Sequence, residues 1–328
     1  MVGFERIGTR TSGFCLMASR GRIILVSLIA GASVVLSVVC LGLLTGDGAQ
    51  VPVSYHRLGL VLVPARVGGV EGRYLLDTGC DTTAVTPRVA SALESTGRSV
   101  EVSTSLSTND PVHATAALSG GIQFASGSLD YPTHVDVMDH SRLSMLLGDD
   151  VDGILGWDVL RNYVIGIDSR GQRLFASRNI GATAMLERLG AGQADTRLVL
   201  ETLDESPFLM VTYESQSLRL MLDTGATVTT LFSETWHRLN VEPPIEPAPN
   251  GVSWGVTGES PVRAGRLKEL SLGPLRLADV SVLVSSVEGA VAQKGVSRVS
   301  FDGVLGMNVL SKYFVVIDGP EGVLYLVE

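Results

Sequence analysis

Residues 74–79, YLLDTG, recur in the second half of the same chain as residues 220–225, LMLDTG. In both places an apolar stretch of strand length runs directly into Asp-Thr-Gly. Two more blocks follow each copy in the same order, DGILGWDVL with NYVIGID after the first and DGVLGMNVL with KYFVVID after the second. Three matched blocks in one order indicate that most of the chain is a tandem repeat.

The repeat divides the chain into a first half-domain over residues 52–178, a linker over 179–196 and a second half-domain over 197–328. Each copy reads as a strand pair, the D-T-G loop, a short helix, a strand-rich stretch and a closing apolar-Gly block. The helices are predicted at residues 87–93 and 234–239. Valine, leucine and scattered glycine suit short strands joined by tight turns, so the fold class is predicted to be mainly β.

The two D-T-G sites predict one shared acid–base centre. A single D-T-G is a weak signal, because Asp and Gly often form an ordinary turn. Here Asp77 and Asp223 both follow an apolar strand, and the repeat indicates that they pair across a pseudo-twofold axis. Two carboxylates about 3 Å apart do not readily ionise together and share a proton. One can then take a proton from water while the other polarises a carbonyl.

These blocks resemble the retropepsin-like aspartic proteases, and the resemblance covers nearly all of residues 52–328. It implies a closed, mostly β, bilobal fold in which two barrel-like halves are related by a pseudo-twofold axis, with the active cleft between them. It also implies a catalytic dyad of Asp77 and Asp223. The loop residues that it assigns to supporting roles are Thr78, Gly79, Gly156, Thr224, Gly225 and Gly306.

Substrate contacts are predicted less directly. By the same resemblance Asp81 would contact the substrate backbone, and the second copy departs with Thr227. Trp254 and Gly255 are expected near the tip of a flap hairpin, and residues 107–110 form the corresponding candidate in the first copy. The arginine that retroviral enzymes carry after the last glycine is replaced by Trp157 and Met307, so its ion pair is not expected.

Other chemistries fit the sequence poorly. Residues 251–255 match G-x-S-x-G, but a nucleophile elbow needs a later histidine, and the last one is His237. The run from His134 to His140 could suggest a metal ligand set, but the second copy has nothing similar. We therefore expect no metal and no cofactor. The net charge of −9 argues against a nucleic-acid partner.

The N-terminus carries a long apolar segment. Residues 23–44 contain no charge and would span about 33 Å as a helix, which predicts a transmembrane anchor. Arginines occur throughout residues 1–22, so the positive-inside rule puts this segment in the cytoplasm and the body outside it. The alternative is a cleaved signal peptide and a secreted protein.

The sequence thus predicts a membrane-anchored aspartic endopeptidase that acts on polypeptides as a monomeric pseudo-dimer. Two alternatives stay open. The fold could serve as a binding module with little activity, or each half-domain could pair with its twin in another chain. Retention of both aspartates favours the enzyme, and the tether within one chain favours intramolecular pairing.

Overall fold

The computed structural model describes residues 14–19, 22–27, 50–56, 59–94, 100–101, 114–117, 121–125, 127–129, 134–203, 205–241, 246–255, 258–285 and 301–328. Two compact units make up the chain, Met1–Leu43 and Leu44–Glu328. The repeat lies in the second unit.

In the N-terminal unit, β1 (Phe14–Ser19) and β2 (Arg22–Ser27) form an antiparallel hairpin. The predicted membrane helix is therefore wrong over residues 23–27, where isoleucine and valine favour a strand. The rest of that prediction, residues 28–44, lies outside the described residues. Within the described part of the chain, no helix is both long and apolar enough to cross a membrane.

The first half is built on a ten-stranded sheet. Its order is β11-β10-β5-β6-β13-β7-β12-β9-β8, with β4 paired to β5, and the strands are β4 (Ser54–Tyr55), β5 (Val61–Val67), β6 (Val70–Leu76), β7 (Ala84–Val85), β8 (Val100–Glu101), β9 (Ala114–Ala117), β10 (Ile122–Phe124), β11 (Gly127–Leu129), β12 (His134–Val137) and β13 (Gly153–Leu155). Strand β13 inserts between β6, to which it is parallel, and β7. This insertion brings the repeated D-G-I-L-G block beside the end of β6, where the D-T-G loop begins.

The second half repeats this arrangement with eight strands. Their order is β17-β18-β19-β24-β20-β23-β22-β21, and they are β17 (Glu201–Leu203), β18 (Ser206–Tyr213), β19 (Gln216–Leu222), β20 (Thr230–Phe232), β21 (Glu246–Gly255), β22 (Gly258–Leu272), β23 (Leu275–Ser285) and β24 (Gly303–Leu305). Strand β24 inserts between β19 and β20, as β13 does in the first half. An additional pairing of Thr212 on β18 with Ser271 on β22 curls the sheet.

A six-stranded sheet joins the halves. Its order is β16-β26-β25-β14-β15-β3, from β3 (Gln50–Val51), β14 (Val164–Asp168), β15 (Arg173–Ser177), β16 (Thr196–Val199), β25 (Phe314–Asp318) and β26 (Val323–Val327). At its centre β14 and β25, the equivalent strands of the two copies, run antiparallel with Gly166 opposite Val316. The two copies therefore pair within one chain about a local twofold axis.

Six helices of the described residues complete the fold: α1 (Pro87–Glu94), α2 (Ser141–Leu147), α3 (Trp157–Leu160), α4 (Ala182–Leu189), α5 (Ser233–Leu239) and α6 (Met307–Leu310). The helices expected after each D-T-G loop are present as α1 and α5. Helix α4 covers the six-stranded sheet by packing Met185 and Leu189 with Val164 and Val316. The larger hydrophobic core contains residues of both halves. The prediction of a mainly β, bilobal fold is confirmed.

Candidate active site

The two D-T-G loops leave equivalent strands and meet between the halves. Each begins with a hydrogen bond to the inserted strand, because the Asp77 amide donates to the Leu155 carbonyl at 3.1 Å and the Asp223 amide donates to the Leu305 carbonyl at 3.1 Å. Asp77 is 7% exposed and Asp223 8%. Both carboxyl groups are therefore held at the edge of the packed interior, with little contact with solvent.

The threonines of the two loops cross over and bind the opposite half. Thr78 Oγ1 donates to the Leu222 carbonyl at 2.8 Å and accepts from the Thr224 amide at 3.1 Å. In return Thr224 Oγ1 donates to the Leu76 carbonyl at 2.8 Å and accepts from the Thr78 amide at 3.0 Å. Since both hydroxyls are buried, these four bonds fix the two loops against each other without competition from water.

The glycines allow each carboxyl group to face the other loop. A Cβ on Gly79 would overlap the Asp223 carboxyl group, and one on Gly225 would overlap that of Asp77. The Gly79 amide donates to Asp77 Oδ1 and the Gly225 amide to Asp223 Oδ1, both at 2.8 Å. Each aspartate thus accepts a backbone bond from its own loop while it lies against the glycine of the other. The structure brings the predicted pair together.

Gly156 and Gly306 lie directly beneath the loops, where the sequence placed them. The Gly156 amide donates to Thr83 Oγ1 at 3.0 Å, and the Gly306 amide donates to Thr229 Oγ1 at 3.1 Å. A side chain at either glycine would collide with loop backbone. The next residue ties the layers again, because the Trp157 amide donates to the Cys80 carbonyl at 2.6 Å.

The sequence reasoning missed two further aspartates that hold this arrangement. Asp152 Oδ2 accepts from the Arg73 amide at 2.8 Å, and Asp302 Oδ2 accepts from the Arg219 amide at 2.8 Å. Each also pairs with an arginine on the helix after the D-T-G loop of its own half, Asp152 with Arg88 on α1 and Asp302 with Arg238 on α5. The signal was in the sequence, since both copies of the downstream block begin with Asp-Gly.

The residues predicted to contact the substrate lie where the sequence placed them, on the loop after the first D-T-G and on a hairpin. Asp81 follows the first D-T-G loop, and its carbonyl accepts from the Asp158 amide at 3.2 Å. Trp254 and Gly255 end β21, and Gly255 pairs with Gly258 across the hairpin with β22. Their contact with a substrate stays a prediction. The other candidate flap, residues 107–110, lies outside the described residues.

The histidines of the rejected metal motif separate in the structure. His134 is exposed on β12, whereas His140 is 2% exposed just before α2. Burial lowers the pKa of His140 from 6.5 to about 4, although the charge of Asp139 acts in the opposite direction. The folded state therefore favours the neutral imidazole.

This shift predicts a loss of stability in acid. The contribution of His140 is fully present above its unfolded pKa of 6.5 and is lost as the pH falls toward about 4, because only the unfolded state binds the proton easily. We expect a loss of about 3 kcal/mol in the free energy of unfolding. In denaturant titrations at several pH values, His140→Leu should lose much less free energy of unfolding in acid than wild type does. The exposed His237→Gln should lose as much as wild type. Equal acid losses in wild type and His140→Leu would contradict this prediction.

The comparison with protein families agrees with this geometry. A family model described as aspartyl protease matches residues 63–159 and 209–309, which together exceed half of the chain. The chain belongs to the aspartyl protease family. The two matched regions are the two copies of the repeat, so each copy carries one D-T-G loop of the family and one downstream glycine block.

Solved structures that match include a retropepsin-like aspartic protease from Rickettsia conorii, at 14% identity over 40% of this chain and 90% of that one, with a TM-score of 0.29. The EIAV protease in complex with the inhibitor HBY-793 matches at 18% identity over 34% and 91%, with a TM-score of 0.27. The aspartic proteinase from Irpex lacteus matches at 13% identity over 85% and 97%, with a TM-score of 0.48. No curated protein matches the chain.

Proposed function

We propose that this member of the aspartyl protease family is an endopeptidase with one active site, in which Asp77 and Asp223 activate a water molecule for peptide hydrolysis. The observation that carries the proposal is the crossing of the two D-T-G loops within one chain. The threonine bonds and the close approach of each glycine to the opposite carboxyl group hold the two aspartates face to face.

The chemistry follows from two buried carboxyl groups with one proton between them. The proposed mechanism uses the pair with one shared proton, since repulsion disfavours a double negative charge on two close carboxyl groups. The ionised carboxylate takes a proton from water as the water oxygen attacks the peptide carbon, and the protonated carboxyl gives its proton to the carbonyl oxygen. The diol then collapses and the C–N bond breaks, as the carboxyl that took the water proton gives it to the nitrogen and the other carboxylate takes a proton from a diol hydroxyl. The products are a carboxylic acid and an amine, and no covalent enzyme intermediate forms.

The substrate is a polypeptide, with Asp81 and the β21–β22 hairpin as the proposed contacts. A direct test is cleavage of a denatured protein by the full chain in mild detergent, from acidic to neutral pH. Fragments with new N-termini inside the substrate would support endopeptidase activity. If no condition gives cleavage, the alternative of a binding module with the same fold is favoured. The intramolecular pairing of β14 with β25 supports a monomer as the active form.

We also propose that the N-terminal apolar segment attaches the protein to a membrane, with the catalytic body on the extracytoplasmic side, although its first residues form strand β2 and not the start of a helix. The proposal rests on the uncharged apolar run and on the arginines before it. When the full chain is expressed in cells, it should stay in the membrane pellet after an alkaline wash, and a chain that begins at residue 44 should not. A wild-type chain released by the wash contradicts the anchor. A shortened soluble chain would identify a cleaved signal peptide instead.

A further inference from the structure

The two halves differ at a polar position beneath the active-site loops. In the second half this position is Asn308, whose Oδ1 accepts from the Thr229 amide at 2.7 Å and from the Thr229 hydroxyl at 2.9 Å. Its Nδ2 donates to the Ser281 carbonyl on β23 at 2.8 Å. The amide side chain therefore both accepts and donates, and it ties α6 to the neighbouring strands.

In the first half the same position is Asp158. Its Oδ1 accepts from the Thr83 hydroxyl at 2.7 Å and from the Val159 amide at 2.9 Å. Its Oδ2 is buried and has no hydrogen-bond partner among the described residues. The oxygen of Asp158 that corresponds to the donating nitrogen of Asn308 thus lies in the interior as an unsatisfied atom, which is costly for an ionised carboxylate.

The strand register identifies the residue of the first half that is equivalent to Ser281. Asp136 pairs with Ala84 in the first half, as Leu283 pairs with Thr230 in the second. Two residues earlier on each strand are His134 and Ser281, so the two are equivalent. Backbone groups of alternate residues point to the same side of a strand. The Asp136 amide donates to the Thr83 carbonyl at 3.0 Å, so the His134 carbonyl is directed to that side as well.

We propose that Asp158 is a positioning residue that works in its protonated form, donating the Oδ2 proton to the His134 carbonyl and closing in the first half the network that Asn308 closes in the second. The Oδ2 proton makes Asp158 a hydrogen-bond donor, as the side-chain amide of Asn308 is at any pH. The hydrogen-bond network of the first half is therefore complete only while Asp158 is neutral, whereas the network of the second half does not depend on a proton.

The charges around Asp158 agree with a neutral carboxyl group. Burial raises its pKa above the ordinary value, while the bonds from Thr83 and Val159 and the charge of Arg161 act in the opposite direction. Arg161, on the loop after α3, is itself paired with Glu205. Other titratable side chains on the adjoining segments include Cys80, Asp81, His134 and Asp136.

A short path connects Asp158 to the proposed catalytic loop, and this part of the inference rests on the proposed function. Thr83 Oγ1, which donates to Asp158, accepts from the Gly156 amide. The Trp157 and Asp158 amides donate to the carbonyls of Cys80 and Asp81, directly after the D-T-G sequence. Ionisation of Asp158 places a negative charge against the His134 carbonyl and weakens this support. Activity should therefore fall as the pH rises.

The decisive test is the pH dependence of stability, which needs no enzymatic activity. A raised folded pKa means that the contribution of Asp158 is fully present below the unfolded Asp pKa of about 3.9 and is lost as the pH rises through the folded value. With the full chain in detergent, the Tm difference between Asp158→Asn and wild type should grow in favour of the variant by roughly 3 °C from acidic to alkaline pH. The reverse change in the second half, Asn308→Asp, should add a second loss of Tm as the pH rises.

Two further readouts separate the possible failures. At a pH just above the unfolded Asp pKa of about 3.9, the infrared difference spectrum of wild type minus Asp158→Asn should contain a protonated-carboxyl band, and the proposed catalytic pair cancels in this difference because both proteins contain it. If the protein is a protease, Asp158→Asn should extend the alkaline side of its kcat/KM profile. Parallel Tm–pH curves for wild type and Asp158→Asn, or a difference spectrum without the protonated-carboxyl band, would overturn the proposal. Inactive protein with the expected Tm and infrared changes would instead refute only the proposed function.

Discussion

Asp77→Asn and Asp223→Asn should each lower kcat/KM for a polypeptide by at least about a thousandfold, which is the range for loss of a general acid–base group. Each change leaves the shape of the loop intact but removes either the proton acceptor or the shared proton. Since each carboxyl group lies against the glycine of the other loop, one change should disable the whole site. The measurement is initial-rate cleavage of a denatured protein by the full chain, with folding checked by thermal unfolding.

The matched control is Asp279→Asn. Asp279 is on β23, its side chain is 72% exposed, and its φ of 53° is one that asparagine tolerates. This variant should keep wild-type activity. If each dyad variant instead retains about half of the activity, the two copies would work as separate sites that pair between chains.

Thr78→Val and Thr224→Val should each lower the free energy of unfolding by about 3 kcal/mol, because each strands a buried carbonyl and a buried amide in the opposite half. Thr78→Val leaves the Leu222 carbonyl and the Thr224 amide without these bonds. Thr224→Val does the same to the Leu76 carbonyl and the Thr78 amide. Denaturant titration of the single and double variants measures the losses, and activity should fall with them because the carboxyl groups lose their fixed separation.

Serine at either position keeps the hydroxyl and provides the control. Thr78→Ser and Thr224→Ser should therefore lose much less free energy of unfolding than the valine variants. The exposed Thr202→Val tests the substitution itself and should change stability little. The losses of the two single variants should not simply add in the double valine variant, because each side chain binds the backbone amide of the other threonine. Losses below about 0.5 kcal/mol for both single variants would show that the crossed bonds do not hold the halves together.

The repeat was sufficient to predict two matching halves, because matching blocks fold into matching units, but it left open whether the halves pair within one chain or between chains. It located Asp77 and Asp223, the threonines and glycines beside them, and the helices that became α1 and α5. It also placed Trp254 and Gly255 beside a hairpin turn, since glycine content marks such turns. These features depend on short segments whose local chemistry is decisive.

Features that depend on distant pairing were not predicted. The roles of Asp152 and Asp302 come from hydrogen bonds to Arg73 and Arg219, which are far away in the sequence. The strand at Arg22–Ser27 was missed because an apolar, β-branched run satisfies both helix and strand patterns. Helix α2 was missed too, because it is only seven residues long and has no side-chain cap.

The central pairing of β14 with β25 has a consequence for how the two halves can evolve. In a symmetric homodimer every substitution appears twice, at both sides of the axis. Here one polypeptide contributes both sides, so each side can acquire its own residues. Cys80 occupies the position that Ala226 has in the other copy, and Asp158 the position that Asn308 has. A single gene can thus make one side respond to its surroundings while the other keeps the geometry constant.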